Sequence, residues 1–331
     1  MTAILLLALA ADPVEDAAAR CGRGDTKGGL SALDDRLRAA PHDARAHYYR
    51  GVCLARAGRV DEARAAYEAA VKLDGRLAEA RNNLGALLLD AGRDEEAARH
   101  LEAAVAVDPQ YAEALFNLGQ ALDRLGRPAD AERAYRRAVA ASPGDVDAHL
   151  ALGAVLHRAG RWDQAARSYR EATRLDPKRA EAHFLLGLTL DLSDQAVEAV
   201  AAIRQAALLD PKDARAPHEL GLMALRRHDP EAALAALEKA AGLHPRSASI
   251  LTDVGLAQQA LSRHEEALAR FHAAVKLDGK YLPARYRVVS ALSALGRCAQ
   301  AREALATYES LAPTPADRKR AQQRVARCKA R

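Results

Sequence analysis

The sequence predicts an all-α fold built from stacked pairs of antiparallel helices, and three observations support this prediction. The 331-residue chain is 50% hydrophobic but only 4% aromatic, and alanine, the best helix former, supplies much of its apolar content. Small residues recur with a fixed spacing of 34 residues. Proline closes the units with the same spacing, as at Pro109 and Pro143. This composition favours close-packed helices and excludes both a disordered chain and a disulfide-dense small domain.

The repeat is carried by small and large apolar residues at matched positions. Two alanines flank a large apolar residue in each unit, as Ala131 and Ala138 flank Tyr135. A glycine precedes them, one predicted helix earlier, in seven consecutive units. These glycines are Gly51, Gly85, Gly119, Gly153, Gly187, Gly221 and Gly255. Small residues at a crossing let two helices approach, so each unit is predicted to be a tightly packed helix pair.

Residues 112–145 show the elements of one unit in order. Apolar residues at helical spacing predict a first helix over residues 112–124. Gly126 suits the left-handed position after that helix, and Pro128 suits the first turn of the next one. Pro143 ends the second helix. Because one pair cannot bury its hydrophobic faces alone, its stability is expected to come from stacking on its neighbours.

The small–large–small pattern with a terminal proline resembles the tetratricopeptide repeat family. The resemblance divides residues 11–315 into nine repeats, of which the first and the last are degenerate. It implies a right-handed superhelical solenoid in which the first helix of each unit lines the concave face. The basic segment 316–331 is predicted to be a capping helix that covers the last apolar face through Ala321 and Val325.

Residues 1–10 are predicted to be a short signal peptide. Their apolar run ends in Ala8-Leu9-Ala10, a small-x-small pattern typical of a cleavage site. This predicts a periplasmic or secreted bacterial protein. The alternative is a cytoplasmic protein in which residues 1–11 stay attached as a cap on the first repeat. The run is shorter than the roughly 20 residues of a spanning helix, so no transmembrane segment is predicted.

Four cysteines lie at the two ends of the repeat array. Cys21 and Cys53 fall in the first two units, whereas Cys298 and Cys328 fall in the last unit and the segment after it. Each pair is expected near the same end of adjacent helices, which predicts disulfides Cys21–Cys53 and Cys298–Cys328 at the ends of the array. The alternative is four thiols that form no disulfide. The sequence has no CxxC motif or His/Cys cluster, so no metal site is predicted.

The formal charge of +5 is concentrated at the C-terminus. Residues 317–331 hold seven basic residues and one acidic residue, so the remaining chain sums to −1. A solvated outer face of the capping helix accounts for this charge, and contact with an acidic partner is the alternative. The segment has no aromatic residue that would stack on bases, which disfavours nucleic acid as a partner.

The sequence contains no catalytic motif. It has no phosphate loop, no dinucleotide fingerprint, no HExxH motif and no nucleophile elbow. His47, His149 and His183 share one repeat position and are interpreted as packing residues. No catalytic residue, cofactor or small-molecule substrate is therefore predicted.

The resemblance implies a peptide-binding groove on the concave face. Amide side chains there can both donate to and accept from a peptide backbone. A line of acids and an apolar strip beside it complement a basic or amphipathic peptide. The alternative is that the acids only complement the helix macrodipole. The amides are Asn82, Asn83, Asn117 and Gln120, the acids are Glu79, Glu113, Asp147 and Glu181, and the apolar residues are Phe116, Leu150, Phe184, Leu188 and Leu222.

Together these features predict a non-catalytic scaffold that binds protein or peptide partners. An exported protein of this kind is expected to serve envelope or secretion-complex assembly. A cytoplasmic adaptor or regulator is one alternative. An accessory subunit of an enzyme, such as a glycosyltransferase, is another.

Overall fold

A computed structural model of the chain describes residues 12–311 and 313–329. The predicted signal peptide, residues 1–10, lies outside the described residues. The described part forms nineteen α-helices and no strand, which confirms the all-α fold. None of these helices is long and apolar enough to cross a lipid bilayer.

The chain divides into two compact units, residues 1–160 and residues 161–331. Unit 1 contains four complete helix pairs and a further first helix. Its helices are α1 (Pro13–Gly22), α2 (Thr26–Ala39), α3 (Ala44–Arg56), α4 (Val60–Leu73), α5 (Ala78–Asp90), α6 (Asp94–Val107), α7 (Ala112–Arg124), α8 (Pro128–Ala141) and α9 (Val146–Arg158).

Unit 2 begins with a second helix, continues with four complete pairs and ends with a single helix. Its helices are α10 (Trp162–Leu175), α11 (Ala180–Leu192), α12 (Ala196–Leu209), α13 (Arg215–Arg226), α14 (Pro230–Leu243), α15 (Ala248–Ala260), α16 (His264–Leu277), α17 (Leu282–Ala294), α18 (Cys298–Ser310) and α19 (Pro315–Ala326).

The pair α7–α8 shows why the sequence forms these elements. The first helix covers Ala112–Arg124 and the second begins at Pro128, as the pattern of apolar residues predicts. Gly126 in the turn has a φ of 69°, a left-handed conformation that glycine adopts without steric cost. Pro128 lies in the first turn of α8, where an N–H would have no helical partner.

Small residues are required where the two helices of a pair cross. A Cβ added to Gly119 would lie 2.5 Å from Cε1 of Tyr135, well inside van der Waals contact. In unit 2 a Cβ added to Gly255 would lie 2.5 Å from Cε1 of Phe271. Ala131 and Tyr135 are 0% and 3% exposed. The small–large–small pattern therefore corresponds to one buried helix crossing that recurs in both units.

The two members of a pair contribute differently to stacking. First helices of successive pairs contact each other directly, as α5 contacts α7 in unit 1 and α13 contacts α15 in unit 2. Among the described residues, the second helices of successive pairs, such as α4 and α6, do not contact each other to this extent. Within each unit the first helices therefore form the closer-spaced, inner side. We call the exposed faces of α3, α5, α7 and α9 inner wall 1, and those of α11, α13, α15 and α17 inner wall 2.

Disulfides join helices at both ends of the described chain. One links Cys21 of α1 to Cys53 of α3, with their Cα atoms 5.5 Å apart. The other links Cys298 of α18 to Cys328, which follows α19. These are the two pairings expected from the sequence. Each bond ties a terminal helix to a helix farther inside its own unit.

The final helix α19 packs on the last helix pair. Ala321 is fully buried and packs with Val289 and Tyr308, and Val325 lies beside them. The opposite side of the helix is exposed and basic. Its exposed cationic residues are Arg318, Lys319, Arg320 and Arg324. Four of the seven cations of residues 317–331 therefore lie on the solvent face of this helix.

Candidate peptide-binding site

The first turns of α5 and α7 place two carboxylates on inner wall 1. Glu79 and Glu113 are the second residues of their helices, so the repeat sets them on the same face of neighbouring helices. Both side chains are exposed, and neither forms an ion pair with another described residue. Carboxylates in a first turn are stabilised by the helix macrodipole. Both charges therefore lie on the wall without a cationic partner among the described residues.

Two tyrosines lie beside these carboxylates. Burial, together with the negative charges of Glu79 and Glu113, raises the pKa of Tyr48 to about 12. Burial and the same two charges also raise the pKa of Tyr111. The two tyrosines lie on or directly before first helices of the same wall, and we call Tyr48, Glu79, Tyr111 and Glu113 together the acidic–aromatic cluster. Carboxylates and aromatic rings are the groups that an ammonium or guanidinium group binds.

Three of the predicted amides form a hydrogen-bond chain within inner wall 1. Asn117 donates through Nδ2 to Oδ1 of Asn82, 2.9 Å away. Asn82 donates to Oδ1 of Asn83 at 3.3 Å, and Asn83 donates to the hydroxyl oxygen of Tyr67 at 3.4 Å. The sequence places Asn82 on the groove surface, whereas the structure buries it completely. The reason is that Asn82 lies between α5 and α7, where Asn117 satisfies its carbonyl oxygen.

The apolar strip of inner wall 1 is less accessible than the sequence suggests. Phe116 is half-buried, with its ring centroid 5.8 Å from that of Tyr135. Leu150 of α9 is only 8% exposed, so it offers little surface to a peptide. Gln120 is partly exposed, and Asp147 is exposed in the first turn of α9. Phe116 therefore remains the main apolar contact on this wall.

On inner wall 2 the predicted groove residues are largely occupied by contacts within the chain. Glu181 lies 3.3 Å from the guanidinium of Arg179. Phe184 is 8% exposed, and the guanidinium of Arg215 lies 5.0 Å from its ring centroid. The other predicted apolar residues are partly exposed, namely Leu188 and Leu222. Arg215 also occupies the helix position of the acids, so the acidic line stops at Glu181.

Inner wall 2 also contains polar residues that are not part of the predicted groove. Nε2 of His218 lies 2.8 Å from Oδ2 of Asp253. Burial raises the pKa of Glu219 and lowers the pKa of Arg287. Glu219, Asp253 and Arg287 follow Asn117 at multiples of the 34-residue repeat. The repeat position therefore indicates that Glu219, Asp253 and Arg287 lie on one helix face, whereas His218 occupies the position of Phe116 and Phe184.

The three histidines interpreted as packing residues also make a polar contact. Nε2 of each lies 3.0–3.1 Å from the carbonyl oxygen of the proline six residues earlier. Arg81 and Arg285 use Nε in the same way where glycine replaces that proline. These side chains therefore hold the loop that precedes a first helix. No group of three or more His, Cys, Asp or Glu in the described chain is arranged to hold a metal ion.

Comparison with known families matches tetratricopeptide repeats in both units. One tetratricopeptide repeat model matches residues 17–78, 56–102, 82–146, 116–166 and 218–281. A second model, described as a TPR repeat, matches residues 156–190. These matches cover more than half of the chain. No curated protein matches the sequence.

Several solved structures are similar to this chain in fold. YrrB, described as a TPR protein with an unusual peptide-binding site, aligns with a TM-score of 0.53 and 24% identity over 57% of this chain and 98% of its own. PilF of Pseudomonas aeruginosa aligns with a TM-score of 0.54 and 21% identity over 61% of this chain and 91% of its own. At these identities the similarity concerns the fold alone.

A third similar structure covers more of the chain. It is the C-terminal part of a TPR repeat-containing protein from Cytophaga hutchinsonii, with a TM-score of 0.59 and 14% identity over 73% of this chain and 99% of its own. The repeated helix crossing, the family matches and these folds agree. The fold is generally a non-catalytic one that serves protein interaction. The chain belongs to the tetratricopeptide repeat family and is built as a protein-interaction scaffold.

Proposed function

We propose that the chain holds a basic segment of a partner protein on inner wall 1. The acidic–aromatic cluster carries this proposal, because its two exposed carboxylates have no ion-pair partner among the described residues. A lysine or arginine side chain would pair with Glu79 and Glu113 and lie against the rings of Tyr48 and Tyr111. Phe116 follows Glu113 by three residues on the same helix face and offers an apolar contact to the next side chain.

The amide chain supports the same proposal. The hydrogen bond from Asn117 to Asn82 holds the Asn117 side chain in one orientation before any peptide binds. A group that is already ordered loses less conformational entropy on binding, so its contact with a peptide backbone contributes more to affinity. The predicted partner is therefore a basic or amphipathic peptide segment, bound mainly by unit 1.

The binding test uses two short fluorescein-labelled peptides that differ only in having lysine or glutamate at their charged positions. The lysine peptide is expected to bind, and its affinity should fall as NaCl rises, because salt screens exposed charges. The E79Q/E113Q variant is expected to bind it about tenfold more weakly, which corresponds to roughly 1.4 kcal/mol. Fluorescence anisotropy gives the dissociation constants.

The matched control for this test is E95Q/E102Q. It removes two exposed carboxylates from α6, a second helix of the same unit, and changes the net charge by the same amount. This control is expected to leave the affinity for the lysine peptide unchanged. Equal weakening by both double variants, or tighter binding of the glutamate peptide by the native chain, would refute the proposal.

We further propose that the protein works outside the cytoplasm, in envelope or secretion-complex assembly. The disulfides at both ends support export, because such bonds persist mainly in oxidising compartments. The apolar run of residues 1–10 supports it independently. N-terminal sequencing and intact-mass measurement after alkylation of the protein from its native cells test the proposal. A start near Ala11 with no alkylated thiol is expected, whereas an intact Met1 with four alkylated cysteines would favour a cytoplasmic adaptor.

A further inference from the structure

A groove opens on the outer side of unit 2, between the second helices α12 and α14. Its volume is about 740 Å³, and α13 forms its floor. The floor and walls are mainly apolar, with Pro217 and Leu220 from α13, Val200 from α12, and Ala232 and Ala236 from α14. The groove lies on the side opposite to inner wall 2, since α12 and α14 are second helices.

The preceding repeat differs from this groove in the contacts of its arginine. There, Arg170 of α10 donates across the corresponding position to Oε2 of Glu198, 2.8 Å away. One repeat later, Arg204 occupies the position of Arg170, but Ala232 occupies that of Glu198. Glu198 therefore has no acidic counterpart in this groove, and Asp229 stands at the position of Gln195, the second acceptor of Arg170. Arg204 forms a hydrogen bond with the residue at neither position.

An equivalent groove of about 560 Å³ opens two repeats later, between α16 and α18. Arg285 and Leu292 line it at the positions that Pro217 and Ala224 occupy here. The groove between α12 and α14 therefore differs from it in having smaller and more apolar lining residues.

The rim of the groove carries three cationic side chains. Arg204, Arg227 and Lys239 line it, and none of them forms a side-chain hydrogen bond or ion pair with another described residue. Asp229 also lies at the rim, but its carboxylate accepts a hydrogen bond from the backbone N–H of Ala232 as the N-cap of α14. The rim therefore has an excess of positive charge that no ion pair with the described residues neutralises.

Helix α12 adds an exposed apolar stripe beside the groove. Val197 is 76% exposed and Leu208 is 73% exposed. They are eleven residues apart, which returns to the same helix face after three turns and about 16 Å. Exposed aliphatic side chains at both ends of a helix that lines an apolar groove enlarge the apolar surface available to a partner.

We propose that this outer groove binds an acidic amphipathic helix of a partner protein. The apolar face of such a helix, about three turns long, matches the stripe on α12 and covers the groove. Carboxylates flanking that face would pair with Arg204, Arg227 and Lys239. The positive rim disfavours the basic α19 of a second copy as the occupant. The chain would thus hold an acidic partner on the outer side of unit 2 and a basic one on inner wall 1.

The test begins with selection of peptides from a random phage-displayed library against the full chain that carries E79Q/E113Q. This background weakens the basic-peptide site, so the result does not depend on the proposal for inner wall 1. Selected peptides are expected to have net negative charge and apolar residues at positions i, i+3, i+4 and i+7. Fluorescence anisotropy then measures their affinity for this chain and for variants of it.

Two variants act on the groove by different means. R204E/K239E reverses two rim charges and is expected to weaken binding of the selected peptides at least tenfold. A235W fills the groove without changing the charge and is expected to abolish their binding. Circular dichroism verifies that both variants keep the native helix content. The matched control is R246E/K276E, which reverses two exposed cations of unit 2 outside the groove and should leave affinity unchanged.

Three results would overturn the proposal. The first is that selection yields no peptide or peptides without acidic bias. The second is that R204E/K239E or A235W leaves the affinity unchanged. The third is that R246E/K276E weakens binding as much as R204E/K239E, which would show a general effect of net charge.

Discussion

Gly119 and Tyr135 illustrate how single residues specify the helix pair. The ring of Tyr135 occupies the space that a side chain at position 119 would need. This contact lies within one 34-residue unit, so a pattern of small and large residues along the sequence is enough to predict it. The exposure of wall residues is different, because it depends on side chains contributed by the next repeat. Asn82 is buried for that reason, since Asn117 lies against it.

Replacing Gly119 with leucine is expected to reduce the free energy of unfolding by about 1–3 kcal/mol through overpacking of the crossing. The first added atom alone would lie 2.5 Å from Tyr135. Gly144→Leu is the control, because a Cβ at Gly144 meets no atom within 4 Å. Urea unfolding followed by circular dichroism compares the two. Equal losses in both variants would contradict this account of the crossing.

Glu219 gives a prediction about pH. Burial raises its pKa above the ordinary glutamate value, so the folded chain holds this proton more tightly than the unfolded chain. The contribution of protonated Glu219 to the free energy of unfolding is therefore present at low pH. It is lost as the pH rises through the pKa of Glu219 in the folded chain. E219Q is expected to increase the free energy of unfolding at pH 7. It should have no such effect below about pH 4, where the native glutamate is protonated and therefore neutral, like the glutamine that replaces it. Urea titrations at the two pH values measure this, and a variant less stable than the native chain at pH 7 would contradict it.

Among the elements, α19 depends most clearly on contacts outside its own segment. Most of its side chains are exposed, and Ala321 is its one fully buried residue in the described chain. The sequence predicts the helix from the apolar spacing of Ala321 and Val325. Its attachment depends on packing against α17 and α18 and on the Cys298–Cys328 bond.

The C298A/C328A variant is expected to loosen α19. The bond spans 30 residues, and a cross-link of that span contributes about 3–4 kcal/mol in the chain-entropy description. Hydrogen exchange should therefore accelerate in residues 315–326, while α7 keeps its protection. C21A/C53A is the matched control and should loosen α1 instead. Unchanged exchange in residues 315–326 would show that packing alone holds this helix.

At the scale of the whole molecule, stability is expected to be distributed locally. Within each unit the helices pack mainly on their neighbours in sequence, as in other repeat proteins. Gly119→Leu should therefore increase hydrogen exchange mainly in α7, α8 and the helices next to them, and leave α17 and α18 protected. A uniform increase along the chain would instead indicate a single cooperative transition.

The repeat spacing is sufficient to predict the helix pairs, their order and the family, because the contacts that specify them fall within one unit or between successive units. It also identifies Glu79 and Glu113 as neighbours on one face. The spacing cannot tell which side chains at a shared position remain on the surface. Tertiary packing buries Leu150 and places Tyr48 and Tyr111 beside the two carboxylates.

The outer groove shows the same limit. Its residues come from three helices, and its apolar lining depends on small side chains such as Ala232, which stands opposite Arg204. No single residue of the sequence indicates that this groove exists. The groove appears only in the packed arrangement of α12, α13 and α14, because it is the space that their side chains leave unfilled.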